Sequence, residues 1–534
     1  MVIFLALSLL WPLALTLLAG LERGRVSRRW WWTGALPAAL VAVFPGTELK
    51  LPWLLVGMHF RVDSLGGAFL LLAAVVFTVA GWQLRGQPVS QRFRVCYGLT
   101  LAGTLGVLTA WNGMSFYACF SLMALAAYGI LREHPGARRG ARWYLALALV
   151  GELALLCAVL LLGERGGEFD NLSRQLAEHP QRGAVLALVY LAFAIKVGNI
   201  PLHLWVPAAY GGGHPLAVAI FGGIITNLGI FGWLRFLPLG QWASPAWSHW
   251  FLGVGLASTL YCALLGACQH RSRSILGYSS ASQMGLATLL IGVGLARPDQ
   301  WHWLQWVVVV FSFHHGLIKT GLVLATLRGW QHGWQLAVLA LGALALAGLP
   351  PTSGWLAKHL LKESALLAAE PWQPWLDILL PLTSLTTGLM MIQFLRRCPR
   401  ARGGQARAWI GLLLASLAVW LAGFYLLPEL TRATLSGKSL AQALQPLLIT
   451  ALLVAGGRVL GLGLRLPEGD LLYILSRIRP PGWRSLSART HTGAMPAPLW
   501  PWLALLERRL RRTQVAGLLL LSLLAALVLL IAHP

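Results

Sequence analysis

The sequence predicts an all-α polytopic membrane protein of about 14–16 transmembrane helices, and three observations predict it. Charged residues make up 11% of the 534 and hydrophobic residues 57%, far from the roughly one-quarter charge of a soluble domain. Apolar runs of about 20 residues recur from end to end, each long enough to cross a hydrocarbon core of about 30 Å as a helix. Arginine clusters fall in alternate connections, as they do when loops alternate sides of a bilayer. The formal charge of +25 therefore reads as membrane orientation. Nucleic acid would need one continuous basic face, and that partner is set aside.

In order, the spans fall at about 1–20, 30–45, 64–84, 93–111, 114–131, 142–163, 184–209, 215–237, 247–268, 274–295, 302–327, 334–369, 376–396, 408–428, 441–464 and 514–532. The first has no basic leader and no small-residue cleavage site, so it reads as a retained span. Arg23, Arg25, Arg28 and Arg29 follow the first span, and Arg85, Arg92 and Arg94 the third. Arg132, Arg138, Arg139 and Arg142 follow the fifth, Arg271 and Arg273 the ninth. Arg396, Arg397, Arg400, Arg402 and Arg407 follow the thirteenth. All follow odd-numbered spans and so share one side, expected to be cytoplasmic in a multi-pass inner-membrane protein with its N-terminus outside. Even-numbered connections are short or of mixed charge, as with Glu168, Asp170 and Glu178.

Two spans are interrupted. The seventh carries Gly198-Asn199-Ile200-Pro201 and then Pro207; the twelfth carries Gly348-Leu349-Pro350-Pro351 and Gly354. Proline frees carbonyls that lipid cannot satisfy, so such breaks survive only inside protein or beside a hydrated cavity. The loop count runs the two spans in opposite directions, a pointer to inverted repeats with an ion path between them; ordinary proline kinks are the plainer alternative. Beyond 464 the chain turns polar, and Asp470–Arg477 suits a short interfacial amphipathic helix or a simple tether. The expected organisation is N-terminal spans at 1–60, a core at 61–400, further spans at 401–464, a connector at 465–513 and a last helix at 514–534.

Six residues are lysine, and Lys196, Lys319, Lys358 and Lys362 fall inside spans while the loops use arginine. Arginine keeps its proton in a protein, whereas a lysine in apolar surroundings can release it, so the segregation suits a proton carrier. A lysine at mid-bilayer costs at least about 2.5–3.5 kcal/mol, and Lys196 stands about one turn before the first break. A structural lysine paired with an acid is the bland alternative, weightier for Lys362 near a span end. Of seventeen acids, Asp63, Glu152 and Glu363 fall within spans. Glu152, near the middle of the sixth, is the natural counter-charge for a lysine. Asp63 reads as an interfacial cap, and Glu363 as a local partner of His359.

His315 and Lys319, four residues apart beside His314, share one helix face, and His203 follows the first break. Histidine relays protons near neutral pH, although each alone is as readily a hydrogen-bonded core residue. His302 and His315 would suit haem ligation only with a second such helix, and the sequence offers none. Six scattered cysteines without a CxxC pair or Cys/His spacing give neither a disulfide framework nor a zinc site. No metal or cofactor is expected, and no chemistry of the chain's own.

At these residues the chain resembles the antiporter-like subunits of respiratory complex I, membrane-bound hydrogenases and Mrp-type cation/proton antiporters, the D-type Mrp and M-type complex I subunits most of all. Lys196-Val-Gly-Asn-Ile-Pro-Leu-His-Leu-Trp-Val-Pro-Ala-Ala-Tyr210 looks like the family's lysine helix and its PxHxWLPxAxxxAP segment. Gln269–Ser274 followed by Leu276–Gly285, His315-Gly-Leu-Ile-Lys319, and Ala347–Lys358 with its Pro350-Pro351 resemble three further motifs in the family's order. The similarity covers roughly residues 60–400. It implies a fourteen-helix core with two inverted five-helix repeats, broken helices seven and twelve, and a hydrated polar axis. By that resemblance Lys196 is the expected helix-seven carrier, His315 and Lys319 the central relay groups and Lys358 the helix-twelve terminal carrier, with His203 a nearby polar support.

Two positions depart from the family. Its glutamate in helix five falls here on Ser121, and its helix-eight lysine on Asn227. Glu152 on helix six is the expected substitute for the missing carboxylate. The reading is a proton- or cation-translocating subunit (H⁺, or Na⁺/K⁺) that works in the bilayer with other membrane subunits of a hetero-oligomeric complex. The rival is a non-pumping structural or coupling subunit of a related complex, such as one for inorganic carbon or another solute.

Overall fold

Lipid offers no hydrogen bonds, so apolar runs must close their backbone groups internally, and they do so as helices. The computed structural model describes residues 1–21, 29–55, 57–85, 87–163, 167–368, 372–400 and 407–459. The expected connector at 465–513 and last helix at 514–534 lie outside the described residues, as do Arg23, Arg25, Arg28 and Arg402.

The first elements are α1 (Val2–Leu21), the short α2 (Leu36–Val41), β1 (Glu48–Leu51), β2 (Met58–Arg61), α3 (Ser64–Leu84), α4 (Gln91–Thr109), α5 (Gly113–Arg132), α6 (Arg138–Leu161) and α7 (Leu172–Glu178). The interrupted seventh span is α8 (Arg182–Val197) and α9 (Trp205–Gly212). Then follow α10 (Pro215–Ile220), a π-helical turn (Phe221–Ile225), α11 (Thr226–Phe236), α12 (Pro245–Ala267), α13 (Ser272–Ala296) and α14 (Trp301–Arg328). The second interrupted span is α15 (Gly333–Ala347) and α16 (Ser353–Ala365). The described chain closes with α17 (Trp372–Arg397), α18 (Arg407–Leu426), α19 (Pro428–Thr434) and α20 (Gly437–Val459). Eleven helices among the described residues are long and apolar enough to cross a membrane, so the chain is a multi-pass helical membrane protein.

Two features differ from the sequence expectation. The stretch at 30–45 is not one helix: a 3₁₀ turn at Trp31–Thr33 precedes the six-residue α2. Here Gly81 of α3 lies so close that a Cβ would sit 2.7 Å from the Trp31 carbonyl oxygen, and Pro37 opens α2, so packing and proline interrupt the helix. The antiparallel hairpin, with Glu48 opposite Arg61 and Leu51 opposite Met58, escapes sequence reading because each strand is only four residues long.

The packing core runs through α10–α11, α13 and α14, whose apolar windows are 94–100% buried within the chain. An apolar helix enclosed on all sides needs a different lining from one facing lipid, and these helices hold small and hydroxyl residues at their contacts. Gly255 on α12 and Gly285 on α13 let two backbones touch, and Thr259 and Ser282 exchange hydrogen bonds with each other's carbonyls across that contact.

His214, between two membrane-crossing segments, caps α10 by accepting the Leu216 N–H (3.3 Å) and packs edge-on against Phe93. Burial, then the nearby His134 and Arg273, push it from 6.5 to about 4. The fold favours neutral His214, so below 6.5 the unfolded chain binds the proton first. Stability should be complete above that pH and decline as it falls toward 4. Thermal unfolding in detergent should show this slope, and His214→Asn, which keeps a capping side chain, should flatten it; equal slopes would contradict the assignment.

Candidate functional site

The first break is built from α8 to α9. Gly198 ends α8 in the left-handed region at φ +79°, where a side chain would be strained. Two backbone groups at the break are met by side chains, and a further pair of side chains joins across it. Ile200 N–H donates to Ser258 of α12 (3.0 Å), Trp205 Nε1 donates to the Ile195 carbonyl (2.8 Å), and Asn199 and Thr288 of α13 pair at 3.1 Å. His203 is buried in the turn that follows, edge-on to Tyr261 at 5.4 Å.

Lys196, two residues before Gly198, is buried. Its ammonium donates to the Tyr144 hydroxyl of α6 (2.8 Å) and lies 5.1 Å from the Phe120 ring centre. Tyr144 in turn donates to the Ala124 carbonyl of α5. Two turns along α6, Glu152 is buried and accepts a hydrogen bond from Ser121 of α5. The Glu152 and Lys196 charges act on each other, and Oε1 of Glu152 has no protein partner among the described residues. The carboxylate thus stands against the helix-five position where the resemblance implies a glutamate.

Around the middle of the molecule, α14 carries His314, His315 and Lys319, all buried. Lys319 donates to the Leu276 carbonyl near the start of α13 (3.0 Å). His314 Nδ1 meets Ser353 Oγ of α16 at 2.9 Å. Neither ring nitrogen of His315 has a protein partner among the described residues. The π turn places Gly222 between Lys319 and Tyr210: a Cβ there would be 3.2 Å from the tyrosine oxygen and 3.5 Å from Lys319 Cβ. Asn227 is taken up by that turn, donating to the Gly223 carbonyl (3.0 Å) that a wider helix leaves over. From Lys196 toward Lys319 the contacts run through rings, with Tyr144, Trp205 and Phe221 packed 5.0–5.6 Å apart.

The second break repeats the device of the first. Gly348 ends α15 at φ +98°, and Gly354 permits α16 to approach so closely that any Cβ would overlap the Ala345 carbonyl. Lys358 folds back over Gly348 and donates to Ser384 of α17 (2.9 Å). Glu363, half-buried on the same helix, acts electrostatically on His359, whose Nδ1 is 3.4 Å from Ser439 of α20.

The structure therefore joins Ser121 to Glu152, and sets Lys196 and Lys358 beside the two breaks with the α14 group between the elements that carry them. Sequence reasoning missed Tyr144, Ser353 and Ser384, whose uncharged hydroxyls give no signal of their own within a span. It also missed Arg235, whose guanidinium pairs with Asp63 (Nη1–Oδ2 2.9 Å) beside the rings of Trp111 and Phe231. Asp63 is the cap expected of it, accepting the Gly66 N–H at 2.9 Å.

A polytopic helical body with paired broken helices and a set of buried lysines defines a class of membrane protein built around polar groups in apolar surroundings. Residues 110–385, just over half of the chain, match the family described as NADH:quinone oxidoreductase/Mrp antiporter, transmembrane, and the chain belongs to that family. It is 28% identical over 369 residues to an uncharacterized protein of Mycobacterium tuberculosis strain H37Rv, covering 63% of this chain and 58% of that one. It is 26% identical to a probable K⁺/H⁺ antiporter subunit of Rhizobium meliloti strain 1021, covering 65% of this chain and 38% of that one. The chain thus spans less than two-thirds of the length of these relatives. A chain in the structure of the Mrp complex from Dietzia sp. DQ12-45-1b superposes with a TM-score of 0.73 at 19% identity, over 99% of this chain and 63% of that chain, and so shares the fold.

Proposed function

We propose that this chain is a proton- or cation-translocating membrane subunit of a multi-subunit complex. The observation that carries the proposal is the placement of buried Lys196 and Lys319 and half-buried Lys358 inside the helical body, each held by neutral hydroxyl or carbonyl groups. A charge so placed costs several kcal/mol and is retained where it works. Core residues 61–400 hold the path, with Glu152 as counter-charge of Lys196 and His203, His314 and His315 alongside. The spans at 1–60 and 401–464 flank it. The orphaned nitrogens of His315 and Oε1 of Glu152 are buried polar atoms of the kind that ordered water satisfies, and water would connect the lysines where rings intervene. Membrane orientation follows the arginine loops, placing them in the cytoplasm and the N-terminus outside. Partners are other membrane subunits, and the ion is H⁺, Na⁺ or K⁺.

The rival reading, a coupling or structural subunit, draws on Asn227: its amide serves the π turn, and α10–α11 offers no titratable side chain between Lys196 and Lys319. Ion movement into membrane vesicles carrying the assembled complex separates the two. Lys196→Ala, Lys319→Ala and Lys358→Ala should each leave assembly intact and lower transport on the order of a hundredfold, as expected for a lost proton-transfer group. Normal transport by all three would leave the structural reading.

A further inference from the structure

We propose that the cavity between α16, α17 and α20 is a binding site for the headgroup of an anionic phospholipid. The cavity holds about 410 Å³. That volume suits a phosphate-bearing headgroup, being within the usual size of small-molecule sites. Its polar wall includes Lys358, His359, Lys362, Ser384, Gln442 and Gln445, and none of its lining residues is an acid.

Lys358 and Lys362 are four residues apart and so face the same side of α16, where like charges repel each other. An anion seated between them removes that repulsion and supplies what the neutral wall does not. Ser384 already accepts from Lys358, while the amides of Gln442 and Gln445 supply further donors. The nearest acid on this helix, Glu363, is not among the lining residues and acts instead on His359.

The other wall is apolar and decides which anion. Ile378, Leu382 and Ile449 line the cavity and are 67%, 40% and 38% exposed, on helices long and apolar enough to cross the membrane. A free anion gains nothing from these side chains, whereas the acyl chains of a lipid bury them. The site stands on this geometry and holds whether or not ions pass through the chain.

Full-length protein, delipidated and then supplied with phosphatidylglycerol or phosphatidylcholine, should retain phosphatidylglycerol selectively by native mass spectrometry. Lys362→Gln should lower its retention about tenfold, the loss of one charge-assisted contact. Gln442→Glu, which places a carboxylate in the cavity without removing volume, should also displace the lipid while the empty protein stays as heat-stable as wild type. Lys438→Gln, on α20 outside the cavity lining, should change nothing. Equal retention of both lipids, or retention unchanged by Lys362→Gln and Gln442→Glu, would overturn the proposal. Heat stabilisation by inorganic phosphate matching that by phosphatidylglycerol would overturn the lipid assignment in favour of a free anion.

Discussion

Replacing Glu152 with glutamine should lower ion movement on the order of tenfold, the kinetic equivalent of about 1.4 kcal/mol of lost charge pairing with Lys196. The two charges interact without sharing a hydrogen bond: Lys196 donates to Tyr144, and Glu152 accepts from Ser121. Because Ser121 touches the carboxylate, the charge can be moved by one side chain's length. Ser121→Glu combined with Glu152→Ser should recover most of the transport lost in Glu152→Gln, since the anion returns to nearly the same place from the neighbouring helix. Tyr144→Phe should give a smaller loss, because it removes the acceptor of the lysine proton and leaves the charge. Vesicle ion-uptake assays on the assembled complex measure all of these. Wild-type uptake by Glu152→Gln, alongside abolished uptake by Lys196→Ala, would end the view that helix six supplies the missing carboxylate.

The largest expected stability effect lies at the opposite end of α11 from the π turn. Asp63→Asn should destabilise the protein by about 3 kcal/mol, as measured by equilibrium unfolding in detergent. Asparagine caps a helix as well as aspartate does, so the Gly66 N–H bond at the start of α3 survives the change. What is lost is the charge. Burial opposes ionisation of Asp63, but Arg235, with the Gly66 N–H, outweighs it and holds the carboxyl below the usual carboxylate range. The Arg235 side chain is only 7% exposed, and without Asp63 its guanidinium would remain buried against Trp111, Phe169 and Phe231. Adding Arg235→Met should recover much of the loss, because removing both members of a buried pair costs far less than stranding one. If Asp63→Asn unfolds like wild type, the pair contributes nothing.

Most span boundaries were legible because hydropathy is a local property. The expected 64–84 coincides with α3, and 114–131 lies one residue inside α5 at each end. The two breaks were legible for a related reason: Gly198 and Gly348 take a left-handed backbone that glycine adopts without strain, and prolines follow each within three residues. Where packing overrode local preference the reading was poorer, as at 30–45, where α3 presses against Trp31 and the helix gives way to a turn. The site showed the same division. Lysines in apolar runs announce themselves, but a tyrosine or serine in such a run looks like any other core residue until its partner is known.

By itself the sequence determined that this is a multi-pass helical membrane protein, where most spans lie, which two are broken, and which lysines fall within apolar runs. Each of these depends on neighbours along the chain and on the cost of placing charge in lipid. Only the tertiary structure decided that Ser121 meets Glu152, that Tyr144 receives Lys196, that Ser353 meets His314, and that Asp63 pairs with Arg235 across 172 residues. Those pairings depend on which helix faces pack together, and hydrogen bonds reach only about 3 Å, so no pattern along the chain encodes them.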